Sequence, residues 1–264
     1  MQWEQLTSAD FKQAMQETGV CIVPLGVVEK HSEHLPLGTD CYIAHGIACR
    51  AAEKEPAVVY PKYFFGQINE ARCFPGTITI SPRLLLELLG EVLDDIARNG
   101  FTKIILYNGH GGNEHLLRFL AQCCLWEQKP YHLYIPTERL SPSGQAEWDK
   151  LAEAPYGGHA DEIETTLMLG LHPELVHLER VPEQPAQPLG RLDHLPATYN
   201  AIWWYADYPN HYAGDGSKAT LAKGAKLVEL AVDHLAQYIA AVKADTVIPA
   251  LTLEFFERAR RIAK

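Results

Sequence analysis

The feature that constrains the fold most is a repeated alternation of short apolar runs with longer segments of helical periodicity. Residues 20–25 and 103–107 are apolar stretches flanked by glycines, as is typical of strands buried on both faces. Each is followed by a polar, glycine-containing loop and then by a helix-like segment. Strands that alternate with helices form parallel sheets covered on both faces. The chain is therefore predicted to be an α/β protein with a mostly parallel central sheet.

The remaining elements follow from the same periodicities. Further strands are predicted over residues 57–60, 77–80 and 131–135, and helices over residues 8–16, 41–53, 82–98, 114–126, 141–154, 218–243 and 253–262. Residues 181–216 are rich in Pro, Tyr, Trp and Asp and have no clear period, so they are predicted to form a functional loop or lid. Within them, the run Trp203-Trp204-Tyr205 is predicted to cover the site, with Trp203 touching substrate. Ordinary packing or a subunit contact is the alternative for this run.

The composition excludes several classes of function. The 264 residues carry a formal net charge of −10 and no Lys/Arg block, which argues against nucleic acid and anionic membranes as partners. No apolar run approaches the ~20 residues of a membrane span. The first residues lack the features of a signal peptide, and the six cysteines are interpreted as reduced, mostly core residues. These observations predict a cytoplasmic protein.

Residues 29–40, directly after the first apolar run, hold five groups that can bind a metal or move a proton. Ligands of open α/β sheets bind just past the carboxyl ends of the strands. Glu29 and His31 point the same way on an extended segment, and Asp40 can fold back towards them through the turns at Pro36 and Gly38. Imidazole with carboxylates is a ligand set for Zn, Mn or Fe. The alternative for Asp40 is that it only caps the next helix.

Residues 108–113 form a second cluster that also follows a strand and precedes a helix. It is expected to reach the same sheet edge as Glu29. Backbone N–H groups of Gly111, Gly112 and Asn113 could face an anion or a developing oxyanion at the helix start, so both glycines are predicted to bind substrate. Taken by itself, however, the segment is better interpreted as a glycine-rich turn that carries a solvent-facing His110.

Residues 159–164 form a third cluster. Asp161 followed three residues later by Glu164 is a capping-box-like pair, so this segment can be read simply as a helix start. Acidic residues in a first turn also suit the helix dipole. A structural and a functional role can hold for different residues of this cluster.

Together the three clusters resemble the creatininase (creatinine amidohydrolase) family, over roughly residues 1–245. Residues 29–40 match its Glu-x-His-Gly-x-His-Leu-Pro-x-x-x-Asp pattern except at Ser32, where glycine is usual. Residues 108–110 match its Asn-Gly-His, and residues 159–165 match its His-Ala-Gly-Glu-x-Glu-Thr except at Asp161. Residues 74–77 and 214–219 resemble further segments of the family.

The resemblance implies a three-layer α/β/α sandwich, forming one domain over residues 1–264, and a homo-oligomer that is a hexamer. It also implies a cofactor of one or two divalent metal ions (Zn, Mn or Fe), whose predicted ligands are Glu29, His31, Asp40, His110 and Glu164. Creatininases proper use a glutamate at the position of Gly112, where this chain and many other family members have glycine. Glu162 and Glu164 are the matched carboxylates that remain, and Glu164 is preferred because Glu162, in the first helical turn, can serve the helix dipole. Asp40 would then bridge two ions, with Glu29 and His110 on one and His31 and Glu164 on the other.

The same resemblance predicts the chemistry. His159 would act in proton transfer at the scissile amide. A bound metal lowers the pKa of its water towards ~7 and polarises a carbonyl, which suits hydrolysis. Creatininases proper carry a tryptophan four residues before the site histidine, where this chain has Pro155, so creatinine itself is a doubtful substrate. Tyr156 is the aromatic residue nearest that place and is predicted to bind substrate.

The predicted activity is therefore hydrolysis of a non-peptide or small cyclic amide, or a formamide. The family also contains a peptidase that trims a cofactor precursor. Two alternatives belong to other classes. A metal-dependent small-sugar isomerase would turn over a sugar and no amide. A non-catalytic metal-binding protein would hold the metal without needing His159.

Overall fold

The structure, a computed structural model, describes residues 1–262 and is built on one parallel sheet. Within that range the sheet has four strands in the order β2-β1-β3-β4, and every neighbouring pair is parallel. The strands are β1 (Val20–Leu25), β2 (Val58–Val59), β3 (Lys103–Asn108) and β4 (His132–Tyr134). Cys21 of β1 pairs with Val58 on one side and Ile104 on the other. The predicted parallel sheet is confirmed.

Helices cover both faces of the sheet. They are α1 (Ser8–Thr18), α2 (Thr39–Lys54), α3 (Pro82–Arg98), α4 (Asn113–Cys123), α5 (Pro142–Trp148), α6 (Glu162–Leu171), α7 (Trp203–Asp207), α8 (Leu221–Ala244) and α9 (Val247–Ile262). Short 3₁₀ turns lie at Trp3–Gln5, Asn69–Ala71, Pro173–Leu175, Leu178–Arg180 and Gly216–Lys218. No helix within residues 1–262 is long and apolar enough to cross a membrane.

Alternate residues of the buried strands pack into two separate hydrophobic cores, one on each face of the sheet. Val20 and Ile22 of β1 pack with α2, α6 and α8, whereas Cys21 and Val23 pack with α1, α3 and α4. Successive side chains of a strand point to opposite faces, so a strand covered on both faces must be apolar throughout. All six residues of β1 are buried. The three-layer α/β/α arrangement is thus confirmed.

Several predicted boundaries shift. Residues 77–80 are not a strand: Ile78 donates one backbone hydrogen bond to Val28 and pairs with no strand of the sheet. The β-branched alternation of residues 77–80 was the signal for a strand, but Val28, to which Ile78 donates, lies outside the strands of the sheet. The last helix begins at Val247 rather than at 253, and the predicted helix over 141–154 is only Pro142–Trp148.

The interpretation of the cysteines is only partly correct. All six are free, and Cys21 and Cys41 are buried, but Cys73 and Cys123 are exposed. Cys123 lies in the last turn of α4, off the buried side of the helix that carries Asn113, Leu117 and Leu120. An apolar neighbourhood in sequence does not decide which side of a helix faces the core.

Candidate metal centre

Two glycines bring the first turn of α2 against the ends of β1 and β3. A Cβ added to Gly26 would lie 2.5 Å from the backbone nitrogen of Cys41, and one added to Gly109 would lie 2.6 Å from the carbonyl oxygen of Asp40. Only residues without a side chain permit this approach. Asp40 is therefore held between the loops that follow β1 and β3. It is the second residue of α2, whose N-cap is Gly38, so the capping alternative for Asp40 is wrong.

One set of electron-pair donors converges around His110. Its Nε2 lies 2.9 Å from the carbonyl oxygen of Gln67, which only accepts, so Nε2–H donates and Nδ1 bears the lone pair in the neutral ring. That Nδ1 lies 2.9 Å from Glu29 Oε1 and 3.0 Å from Asp40 Oδ2. Both carboxylate oxygens are buried without a hydrogen-bond partner among residues 1–262. Three acceptors facing one point require a cation or a proton between them.

A second set converges around His31. Its Nδ1–H donates to the carbonyl of Glu29 at 3.2 Å, which leaves the lone pair on Nε2. Nε2 lies 3.1 Å from Asp40 Oδ1 and 3.8 Å from Glu164 Oε2. The two oxygens of Asp40 therefore face different groups, one around His110 and one around His31.

These donors suit a divalent transition metal. Neutral imidazole nitrogens and carboxylate oxygens are the ligands of Zn, Mn and Fe sites in proteins. Three overlapping sets of side chains place one donor atom each within 4.8 Å of one another: Glu29, His31 and His159; Glu29, Asp40 and His110; His31, Asp40 and Glu164. The orphaned, buried carboxylate oxygens show that the residues fit such an ion.

In the protein without metal, protons must replace the ion. Burial would lower the pKa of His31, but the carboxylates of Asp40, Glu164 and Glu29 outweigh burial and raise it to about 10. The pKa of His110 is likewise raised well above its usual value, because Glu29 and Asp40 outweigh the opposing effect of burial. Burial would raise the pKa of both carboxyls, yet the neighbouring imidazolium charges keep both below their usual values.

A pH dependence of the metal-free protein follows. A histidine whose pKa is raised on folding contributes stability that is complete below its unfolded pKa of about 6.5 and is lost as pH rises through its folded pKa. For His31 that window runs from about 6.5 to about 10. We expect the melting temperature of chelator-treated protein to fall across this range, and that of metal-loaded protein to fall less. A metal-free melting temperature that stays level or rises over this range would contradict the proton-bridged cluster.

His159 lies beside both sets. Its Nε2–H donates to the carbonyl of Lys30 at 2.7 Å, and its backbone exchanges two hydrogen bonds with Ala213. Burial lowers the pKa of His159, with the charge of Glu29 acting in the opposite direction. The ring is therefore neutral near pH 7, with its lone pair on Nδ1, which lies 3.9 Å from Glu164 Oε2. A neutral imidazole in this position can accept a proton and later return it.

The capping and site alternatives for residues 159–164 both describe real contacts. Asp161 caps α6 by accepting the backbone N–H of Glu164 at 3.0 Å. Glu164 Oε2 accepts the N–H of Ala160 at 2.6 Å and also faces His31. Glu162 points elsewhere: it accepts the N–H groups of Glu153 and Ala154 and pairs with Lys223.

The predicted substrate contacts lie at varied distances from the cluster. Gly111 is exposed, with open space where a Cβ would be, whereas a Cβ on Gly112 would lie 2.5 Å from His110 Nε2. Tyr156 is half-buried in the loop before α6. Trp203 is 42% exposed and packs against Trp204. These four residues stay predictions as substrate contacts.

Sequence reasoning missed two contributors to the cluster. Gln67 fixes the tautomer of His110 through its carbonyl, and His211 lies 2.5 Å from Glu29 Oε2. Within the run predicted to cover the site, Trp204 rather than Trp203 lies edge-on to His159, with ring centroids 5.9 Å apart. A backbone carbonyl has no sequence signal, and His211 stands alone in an irregular segment. The only available hint was the unusual length of residues 181–216.

A groove of about 530 Å³ opens beside the cluster. Lys30, Ser32 and Glu33 line one part, and residues from 182–189 and 207–212 line the rest. None of the five predicted metal ligands lines the groove, so it adjoins the cluster rather than containing it.

The amino-acid sequence is similar to those of known hydrolases over most of its length. Residues 4–239 match the family model for creatinine amidohydrolase. The creatinine amidohydrolase of Pseudomonas putida is 26% identical over 246 residues, covering 83% of this chain and 88% of the relative. The mycofactocin precursor peptide peptidase of Mycobacterium ulcerans (strain Agy99) is 29% identical over 229 residues, covering 83% and 84%.

Solved structures show the same fold. A crystal structure of creatininase superposes with a TM-score of 0.78 at 22% identity, over 93% of this chain and 98% of that chain. A manganese form and a Zn–Zn form of creatininase superpose with TM-scores of 0.76 and 0.77 at 21% identity, over 92% of this chain and 99% and 98% of theirs.

Proposed function

This chain belongs to the creatininase family, and from that membership we propose that it is a metal-dependent amidohydrolase, cleaving the C–N bond of a non-peptide or small cyclic amide or of a formamide. The observation that carries the proposal is the convergence of lone pairs from His110, Glu29 and Asp40, two of whose oxygens are buried without a partner among the described residues. Such an arrangement is costly unless a cation occupies it.

We assign the ligands in two overlapping groups. Glu29, Asp40 and His110 would hold one ion, and His31, Asp40 and Glu164 a second, with Asp40 shared. The alternative is a single ion in the first group, with Glu164 acting only through its contact with Ala160. Zinc and manganese, which occur in creatininase structures, are the favoured metals, and iron suits the same donors.

A divalent ion bound there would supply Lewis acidity, which polarises a carbonyl and makes water a better nucleophile near neutral pH. The chain itself supplies the proton transfer. His159 is neutral, and its Nδ1 can take a proton from the attacking water and give it to the departing nitrogen. Its Nε2–H bond to Lys30 keeps the ring in the tautomer that leaves Nδ1 available.

The surroundings suggest how a substrate reaches these groups. We propose that Gly111 and Gly112 bind the substrate through their backbone N–H groups, and that Tyr156 and Trp203 lie against the bound substrate. The adjoining groove has room for a substrate larger than a small ring. A relative that acts on a peptide makes larger amides worth testing. Pro155 in place of the creatininase tryptophan disfavours creatinine itself.

We further propose one domain over residues 1–264 in a cytoplasmic homo-oligomer. The family match over most of the chain supports a single domain. Six free cysteines suit a reducing compartment. Exposed apolar residues along α9, including Val247, Leu251 and Leu253, suit a contact between subunits. Mass measurement under native conditions tests the assembly.

The function is tested by a turnover screen on protein of known metal content. Creatinine, lactams, formamides, short peptides and small sugars are offered to chelator-treated protein and to the same protein reloaded with Zn²⁺ or Mn²⁺. Metal-dependent release of amine from at least one amide supports the proposal. Metal-dependent conversion of a sugar alone would favour an isomerase, and stoichiometric metal binding without any turnover would favour a binding protein.

The replacement Glu164→Gln distinguishes a centre that binds one metal ion from a centre that binds two. If Glu164 binds a second ion, metal content should fall by about one equivalent and turnover should fall with it, because a neutral amide is a far poorer ligand than a carboxylate. Metal content by mass spectrometry checks this. Unchanged stoichiometry and turnover would leave a single ion. Glu162→Gln is unsuitable as a control, because Glu162 supports the preceding loop.

A further inference from the structure

His211 reaches the centre from the irregular segment 181–216. It is 2% exposed, and its Nε2 lies 2.5 Å from Glu29 Oε2. Its backbone adopts a left-handed conformation with φ of 55°, which is uncommon for a residue other than glycine. The rings of Phe74 and His159 pack against it, with centroids at 5.3 and 4.4 Å. The hydrogen bond between His211 and Glu29 is therefore shielded from water. Hydrogen bonds are stronger in such a buried place than in water.

The tautomer of His211 is set by Trp204. The indole Nε1–H of Trp204 lies 2.9 Å from His211 Nδ1, and an indole nitrogen can only donate. His211 Nδ1 therefore accepts, and in the neutral ring the proton sits on Nε2. That Nε2–H in turn donates to Glu29 Oε2. The chain of donors runs in one direction, from the indole through the imidazole to the carboxylate.

Because of these hydrogen bonds, the two carboxylate oxygens of Glu29 have different partners. Oε2 is engaged by His211, while Oε1 is the buried, unpartnered atom that faces His110. The backbone of Glu29 is fixed as well, since its N–H donates to Leu37 and its carbonyl accepts from His31. The side chain would otherwise be free to turn both oxygens towards an ion.

We propose that His211 is a positioning residue of the metal centre: held by Trp204, it fixes Glu29 so that Oε1 alone is offered to the ion. This inference rests on the proposed function only in requiring that Glu29 binds metal. His211 itself is not a ligand, because its two nitrogens are engaged by Trp204 and Glu29. Outer partners that orient ligands in this way typically change metal affinity 10- to 100-fold.

The test measures Zn²⁺ affinity by chelator competition on the full chain. His211→Ala should weaken binding by about 10- to 100-fold. His211→Gln, whose amide N–H can still donate to Glu29, should recover a substantial part of that loss. Trp204→Phe keeps an aromatic ring but releases the tautomer, so it should weaken binding in the same direction and to a smaller degree. Trp126→Phe, at an indole that is 92% exposed, is the matched control and should bind as the parent does.

A companion variant, Glu29→Gln, keeps failure of this inference separate from failure of the proposed centre. If Glu29→Gln binds Zn²⁺ as tightly as the parent protein, Glu29 is not a ligand and the centre itself is wrong. If Glu29→Gln weakens binding while His211→Ala and His211→Gln behave alike, the inference is overturned and the centre stands. Should His211→Ala not fold by circular dichroism, Trp204→Phe decides, and an affinity equal to that of Trp126→Phe overturns the inference.

Discussion

Replacing His159 by alanine is expected to lower turnover by about 100- to 10,000-fold while metal content stays close to that of the parent, because positioned proton transfer contributes about that factor. The neutral ring, with Nδ1 available and Nε2 tied to Lys30, is suited to take a proton from water and return it to the leaving nitrogen. Metal per chain by mass spectrometry and kcat on the amide found in the screen are the two measurements. His115→Ala, at an exposed position on α4, is the control for removing an imidazole.

The paired measurement decides between two roles for His159. Besides its proposed part in proton transfer, His159 forms a group with Glu29 and His31 in which three donor atoms lie close enough to share an ion. If His159→Ala loses metal together with activity, it is a ligand and proton transfer must be assigned elsewhere. If both metal and turnover are retained, His159 has no catalytic part.

The second large effect is expected at Asp40. Asp40→Asn should weaken metal binding by more than about 100-fold, since the loss of even an outer partner costs 10- to 100-fold and Asp40 would bind directly. The reason is its position: Oδ1 faces His31 and Oδ2 faces His110, so one substitution disturbs both groups. Chelator competition and metal content measure the loss.

The control for Asp40 is Asp95→Asn on α3, where the carboxylate pairs with Arg98 at the surface and an exposed pair contributes little. The two variants remove the same charge from a helix. If Asp40→Asn keeps its full metal content, the shared-carboxylate arrangement is wrong, whatever its turnover. A loss of only one metal equivalent would show that a single group depends on Asp40.

The sequence by itself determined the frame of this protein and much of its donor set. Apolar runs at 20–25 and 103–107 can be buried only between two helical layers, and that requirement is local to the residues. Polar side chains just past those runs must then meet at one sheet edge, as Glu29, Asp40 and His110 do. The prediction of a strand over residues 77–80 was wrong, because β propensity alone does not provide a neighbouring strand to pair with.

The tertiary structure alone decided how those donors are tuned. Glu29 and His211 are 182 residues apart, and Trp204 has no motif that links it to either. The tautomer of His110 depends on a backbone carbonyl of Gln67, to which any residue type could contribute. Glu164 was already preferred over Glu162 from the sequence, but its contact with His31 depends on how α6 is rotated against the loop carrying His31. Hydrogen-bond direction and helix rotation arise from contacts between distant segments, and local patterns do not encode them.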